Sequence, residues 1–202
     1  MTSSYRIESR GNYDENWPPL RGEYSVGDPK NSIAVVTLAS QLHIKGAAIV
    51  GPCKTENLGV EKVVANIISN SNIRFLMICG AESKGHLPGD AIMSLHRNGM
   101  DEKGRIIGSR GAIPFIQNLP LEAINRFRKQ VQVLDLIGLE DERKINLLIK
   151  DYSSRADPYP EEPFQVMKRP IKRVYHKIEG GDLYLGSGVI MNTSAWLVLS
   201  RG

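Results

Sequence analysis

The stretch Ile73-Arg74-Phe75-Leu76-Met77-Ile78-Cys79, running on into Gly80-Ala81-Glu82-Ser83-Lys84-Gly85-His86-Leu87-Pro88-Gly89, decides the architecture of this chain. Its first half is a short apolar run bounded by Asn72 and Gly80, as expected of a buried strand. Its second half is polar until Pro88, whose fixed φ and missing N–H suit the first position of a helix. Strand, loop and helix in that order put His86 at the carboxyl end of a strand, where open α/β sheets bind their ligands.

Working outward, the same alternation recurs. Ile33 to Leu38 and Ala47 to Val50 read as strands, the second leading into Gly51-Pro52-Cys53-Lys54-Thr55-Glu56-Asn57. A helix follows, with Val60, Val63, Val64, Ile67 and Ile68 on one stripe, Asn57 as its cap and an end near Asn70. After the His86 loop, Pro88 opens a helix that buries Ile92 and Leu95 and stops at Asn98-Gly99. Arg105 to Ile107 is expected as a short strand feeding Gly108-Ser109-Arg110-Gly111-Ala112-Ile113-Pro114-Phe115. Pro120 then begins a helix with Leu121, Ile124 and Phe127 inward and Arg126, Arg128 and Lys129 at its cationic end. Val131 to Ile137 is a strand, and Asp141 to Tyr152 a helix with Ile145, Leu148, Ile149 and Tyr152 on one face.

The expected fold is therefore α/β: a Rossmann-like parallel sheet flanked by helices over residues 31–152, preceded by an arm at 1–30 and followed by a Pro-rich linker and small β tail at 153–202. In the arm, Trp17-Pro18-Pro19-Leu20 is expected to be extended and packed on the surface. In the tail, Phe164 to Met167, Lys172 to Ile178 and Val189 to Leu199 read as extended segments. Right-handed crossovers bring the ends of parallel strands to one sheet edge, so the loops at 51–57, 80–87 and 108–115 should converge.

Bulk properties narrow the function. The 26 basic and 22 acidic side chains are interspersed, which argues against a dedicated nucleic-acid surface. Cys53 and Cys79 lack Cys-x-x-Cys spacing and fit a reducing, cytoplasmic compartment. Met1 to Glu15 has no apolar secretion core. Leu183 to Leu199 is broken by Gly186, Ser187, Gly188, Asn192, Thr193 and Ser194, so it reads as strands and not as a membrane span.

Gly51-Pro52-Cys53-Lys54-Thr55 is only superficially a phosphate loop, because Pro52 removes an amide donor and the glycine spacing is absent. Lys54 and Thr55 can simply shape and cap a helix, and Cys53, near a helix start, is either a thiol of lowered pKa or a small buried residue. His43 falls in a turn, while His96 and His176 read as surface residues. No histidine pair has zinc-helix spacing and no carboxylate cluster suggests magnesium or calcium. Two readings of His86 stand: an imidazole hydrogen-bonded to backbone, or a single ligand to a metal that a macrocycle already holds. His86-Leu87-Pro88-Gly89 fits the His-x-x-Gly half of the Asp-x-His-x-x-Gly signature of corrinoid-binding domains. Lys84 replaces the aspartate, so a backbone carbonyl, water or Asp90 would have to orient the ring.

The chain resembles the A subunit, the corrinoid carrier, of the tetrahydromethanopterin S-methyltransferase of methanogenic archaea. The resemblance runs from about Tyr24 to Ile149 and is densest in Gly51-Pro52-Cys53-Lys54-Thr55-Glu56-Asn57-Leu58-Gly59, in Asn72 to His86, and in Gly111-Ala112-Ile113-Pro114-Phe115. It implies a cobamide (cobalamin-type, cobalt-containing) cofactor with His86 as catalytic and metal-ligating residue on the lower face of cobalt. The implied ring neighbours are Thr55, Asn57, Gly85, Leu87, Ser109, Gly111, Ile113 and Pro114. It further implies relay of a methyl group from methyl-tetrahydromethanopterin to coenzyme M, with separate donor and acceptor proteins as partners. The chain is expected to be a soluble form without the family's membrane helix. Two rivals stand beside this: a nucleotide- or anion-binding module using the 51–57 and 108–115 loops, and a non-catalytic relative whose corrinoid site is crowded by Arg110 and Lys84.

Overall fold

The structure, a computed structural model, describes residues 12–166 together with three strands at 182–186, 189–192 and 197–200. The chain divides into two compact units, Met1–Val166 and Met167–Gly202. In the first, β1 (Ser25–Val26), β2 (Ile33–Val36), β3 (Ile49–Gly51), β4 (Phe75–Gly80) and β5 (Gln132–Ile137) form one sheet in the order β1-β3-β2-β4-β5. β2 to β5 are mutually parallel, whereas β1 runs antiparallel to β3, so the sheet is mixed at one edge.

Alternation along the strands sorts their side chains into two cores. Ala34, Val36, Leu76 and Ile78 face a layer made by α1 (Leu58–Ile68), α2 (Pro88–Asn98) and α3 (Leu121–Gln130). Ile33, Val35, Phe75, Met77 and Cys79 face α4 (Glu142–Tyr152) through Ile145 and Ile149. β4 is buried at every one of its 6 positions. Each large apolar side chain so buried contributes about 1.5–3 kcal/mol, which is why the run at 73–79 dictates the sheet. The helices begin where the sequence places caps: Asn57 accepts from the Leu58 amide, Pro88 opens α2, and Asp141 accepts from the amides of Arg143 and Lys144.

Several expectations are corrected. Arg105 to Ile107 is no sheet strand; only isolated bridges occur, Met100 with Ile106 and Arg105 with Phe115. Ile106 alone turns inward while its two neighbours are exposed, too short a buried run to join a sheet. Trp17 is in the core instead of on the surface, and its indole N–H donates to the carbonyl of Asn66 at 2.7 Å. The Asn66 side chain in turn pairs with both backbone groups of Leu20, fastening the arm to α1. Leu121 is exposed because α3 begins there, and Ala123 takes the inward position.

Arg126, expected near the cationic end of its helix, is buried, where desolvation lowers its pKa against the pull of Glu161 and Tyr159. It donates to Gln130, Ser71 and Glu161 and lies over the Tyr159 ring, tying the 157–164 segment to the core. His96 is half-buried, with Nε2 2.8 Å from the Val131 carbonyl and its ring edge-on to Phe127. Phe164 and Val166 pack on the core without forming a strand.

The second unit contains an antiparallel sheet of β6 (Asp182–Gly186), β7 (Val189–Asn192) and β8 (Leu197–Ser200), in that order. Met167, Lys172 to Ile178 and His176 lie outside the described residues. No helix among the described residues is long and apolar enough to cross a membrane.

Candidate functional site

The site is assembled at the carboxyl edge of the sheet. β4 ends in Gly80, whose φ is +78° and where a Cβ would stand 2.3 Å from the Thr37 carbonyl oxygen. Only glycine fits there, and the sharp exit it permits starts the loop to His86. Glu82 in that loop accepts from the amides of Gly89 and Asp90 at 3.0 and 2.8 Å, capping α2, whose own N-cap, Leu87, has no capping side chain. His86 is thereby held between a strand end and a capped helix.

The ring of His86 meets a carboxylate that sequence reasoning did not assign. Glu56, in the residue position just before the α1 cap, is 1% exposed, and its Oε2 lies 2.8 Å from His86 Nδ1. Its other oxygen accepts from the amide of Ile113 at 2.8 Å. One buried side chain therefore joins all three loops expected to converge. Burial acts to raise the Glu56 pKa, but the amides of Ile113 and of Glu56 itself, with His86, outweigh it and hold the carboxyl below its ordinary range. An ionised carboxylate can only accept, so in neutral His86 the proton sits on Nδ1 and the lone pair on Nε2. That nitrogen has no hydrogen-bond partner among the described residues, and the side chain is 43% exposed.

Asp90, the side-chain candidate for orienting His86, is engaged elsewhere. It accepts from Ser109 Oγ and from the amide and guanidinium of Arg110 at 2.8 to 3.2 Å. The same pairing draws the Arg110 charge toward Asp90, and Lys84 is exposed. A second buried acidic residue, Glu61 on α1, is 4% exposed and takes the amides of Gln117 and Asn118 and the Asn118 side chain. Glu56 and Glu61 thus hold the 113–118 segment, which has no sheet strand to follow.

The other residues expected at the site fall into two groups. Gly111 lies against Glu56, where a Cβ would come within 3.0 Å of its Cγ, and Ile113 is 55% exposed beside it. Gly85, at φ +79°, has open space around it, and Leu87 is half-buried at the start of α2. Thr55 and Asn57 instead serve α1, accepting from the amides of Gly59 and Leu58. Ser109 is buried on Asp90, and Pro114 is buried with its carbonyl accepting from Ile106 at 2.8 Å. Cys53 is no activated thiol, because burial pushes its pKa up to about 12. The signal that could have found Glu56 is an acidic residue between the Cys53-Lys54-Thr55 turn and the cap, where solvent alone gives it no role.

Comparison with known proteins assigns the chain to a family. The family model for the A subunit of tetrahydromethanopterin S-methyltransferase matches residues 10–169. A protein of Methanosarcina acetivorans, named as the A subunit of the "Putative methyltransferase Mtx", is 49% identical over 186 residues, covering 91% of this chain and 94% of its own length. In Methanobrevibacter ruminantium, the first of two A subunits of tetrahydromethanopterin S-methyltransferase is 56% identical over 159 residues, 76% of this chain but 65% of that relative. The second, from the same organism, is 50% identical, covering 76% of this chain and 82% of the relative. The match embraces every loop that meets at Glu56, and the chain belongs, as a methyltransferase component, to the family of tetrahydromethanopterin S-methyltransferase A subunits.

Proposed function

We propose that this chain is a cobamide-binding methyl carrier in which His86 Nε2 takes the lower axial position on cobalt. The observation that carries the reading is the buried Glu56 carboxylate on Nδ1, which fixes the tautomer and turns the other nitrogen into a ligand. One oriented imidazole suits a metal whose remaining ligands arrive with its cofactor. When bound, a corrinoid supplies a reducible cobalt nucleophile able to accept a methyl group and hand it on.

The protein's own part is to place and tune the imidazole. Glu56 keeps the His86 ring from rotating, while the amide of Ile113 keeps Glu56 ionised and in place. Gly111 leaves room for the carboxylate, and Gly85 gives the His86 turn its left-handed backbone. Methyl-tetrahydromethanopterin, the donor to which the relatives' name points, and a thiol acceptor would be bound by partner proteins. The rival anion-binding reading has less support: the Ile113 and Arg110 amides are engaged by Glu56 and Asp90, and Lys54 Nζ lies 3.0 Å from Glu23.

Mixing the full chain with aquocobalamin and recording the visible spectrum tests this. Displacement of the cofactor's own base by an imidazole is expected with the wild type and is expected to vanish in His86→Ala. In Glu56→Gln the amide can favour the tautomer with the proton on Nε2, so ligation should weaken by tenfold or more, about 1.4 kcal/mol. The same spectral change in His86→Ala as in the wild type, or no change in the wild type, would remove the proposal.

A further inference from the structure

α4 is the single helix on its side of the sheet among the described residues, and its two faces are built differently. Inward, Ile145 and Ile149 are buried against β2 and β4. Outward, at the spacing of neighbours on one helical face, stand Arg143, Leu147 and Lys150. All three are exposed, and Leu147, at 68%, is the most exposed large apolar side chain among the described residues. Lys45 joins them from the loop after β2, its amide donating to Asn146 at 3.1 Å. The acidic residues around this stripe are already engaged: Asp141 caps α4 and lies 3.9 Å from Lys144, Glu142 accepts from the His43 amide at 2.7 Å, Glu140 accepts from Ser40, and Asp151 holds Arg155. Arg143, Lys45 and Lys150 have no ion-pair partner among the described residues.

Helix stability does not account for this pattern. Cations in a first turn, where Arg143 and Lys144 stand, oppose the helix dipole, and a leucine turned to water adds nothing to the core. One exposed leucine is ordinary, but a leucine between uncompensated cations on a regular helix face has the anatomy of an interface, an apolar anchor inside a polar rim. We propose that the outward stripe of α4 docks a partner protein that presents an apolar socket for Leu147 between carboxylates for Arg143 and Lys150. A protein is favoured over a lipid bilayer because Glu140, Asp141 and Asp151 lie on or beside the same helix: a uniformly anionic surface would meet them too, whereas a protein can match signs residue by residue. A second copy of this chain would set the same unpaired cations against one another. None of His86, Glu56 and Ile113 belongs to the stripe, so the docking face stands whether or not His86 meets cobalt.

The test titrates the full chain with two designed amphipathic helical peptides, one with a leucine stripe flanked by glutamates and the other with lysines in their place. With the acidic peptide, the Leu147 methyl resonances and the amides of Lys45 and of 143–151 should shift saturably, and added salt should weaken binding. Leu147→Ser and the double variant Arg143→Glu, Lys150→Glu should each weaken it about tenfold. The double variant should gain binding of the lysine peptide, a reversal that loss of structure cannot produce. Each variant should keep the wild-type circular dichroism, because these side chains are exposed. Sedimentation with vesicles of phosphatidylcholine and phosphatidylglycerol in equal parts addresses the lipid alternative, and no binding is expected. No saturable shift, shifts spread over other faces, equal binding of both peptides, full affinity in Leu147→Ser, or vesicle binding that the double variant abolishes overturns the proposal.

Discussion

Two loops meet at Glu56, and they are built by opposite means. The one bearing His86 leaves β4, a strand buried at every position, and enters a helix whose first amides are capped by Glu82. The one bearing Ile113 leaves no sheet strand and is held by isolated bridges and by two carboxylates, Glu56 just before α1 and Glu61 on it. One sheet edge can thus combine a rigid element fixed by apolar burial with one fixed by a few buried charges. The first should resist everything but unfolding, and the second should yield to one lost proton acceptor.

The largest effect should come from attacking the strand. Leu76→Ala removes a fully buried side chain from the centre of the sheet and should cost about 2–5 kcal/mol, read as a lower urea midpoint for the whole 12–166 unit. Glu61→Ala should cost about 1–3 kcal/mol and act locally. Hydrogen exchange should quicken at Gln117 and Asn118 while β4 amides keep their protection; equal quickening in both places would erase the distinction between the two loops.

Acid offers a gentler cut. Because the folded state lowers the Glu56 pKa, its contribution is fully present above the ordinary value of 4.5 and is lost as pH falls below it. Protection of the Ile113 amide should fade in that acid range before β4 loosens, and Glu56→Gln should lack this step. The smallest effect is expected from Asn57→Ala, which removes the α1 cap and should lower thermal stability by about 1 kcal/mol or less, with His86 ligation retained.

The same contrast explains what the sequence discloses. The 73–88 stretch is legible because apolar burial leaves a continuous run and helix starts leave Pro, Asn and Asp in known places. Parallel strands then imply a shared edge, which is how the meeting of the loops at 51–57 and 80–87 can be read in advance, whereas the loop at 108–115 follows no sheet strand and is held there by Glu56 and Glu61. What escapes is carried by single polar residues with distant partners. Glu56 to Ile113 spans 57 positions and Glu61 to Asn118 another 57, and no period records such bonds. Trp17 and Arg126 fail for the same reason: their burial depends on Asn66 and on Glu161, Ser71 and Tyr159, which composition alone would leave in solvent. Arg105 to Ile107 misleads in the other direction, β-branched enough to suggest pairing but with one inward side chain.

The two-residue strand β1 governs how the margin of this sheet meets other proteins. A parallel sheet that ended on β3 would offer its neighbours an open row of amides and carbonyls, a standing invitation to recruit a stranger's backbone. Ser25–Val26 closes that row with a strip too brief to template another, and Asp135 sets a negative charge along the opposite margin at β5. Encounters at the sheet's flanks are thereby kept fleeting, so that lasting association is left to faces shaped for it.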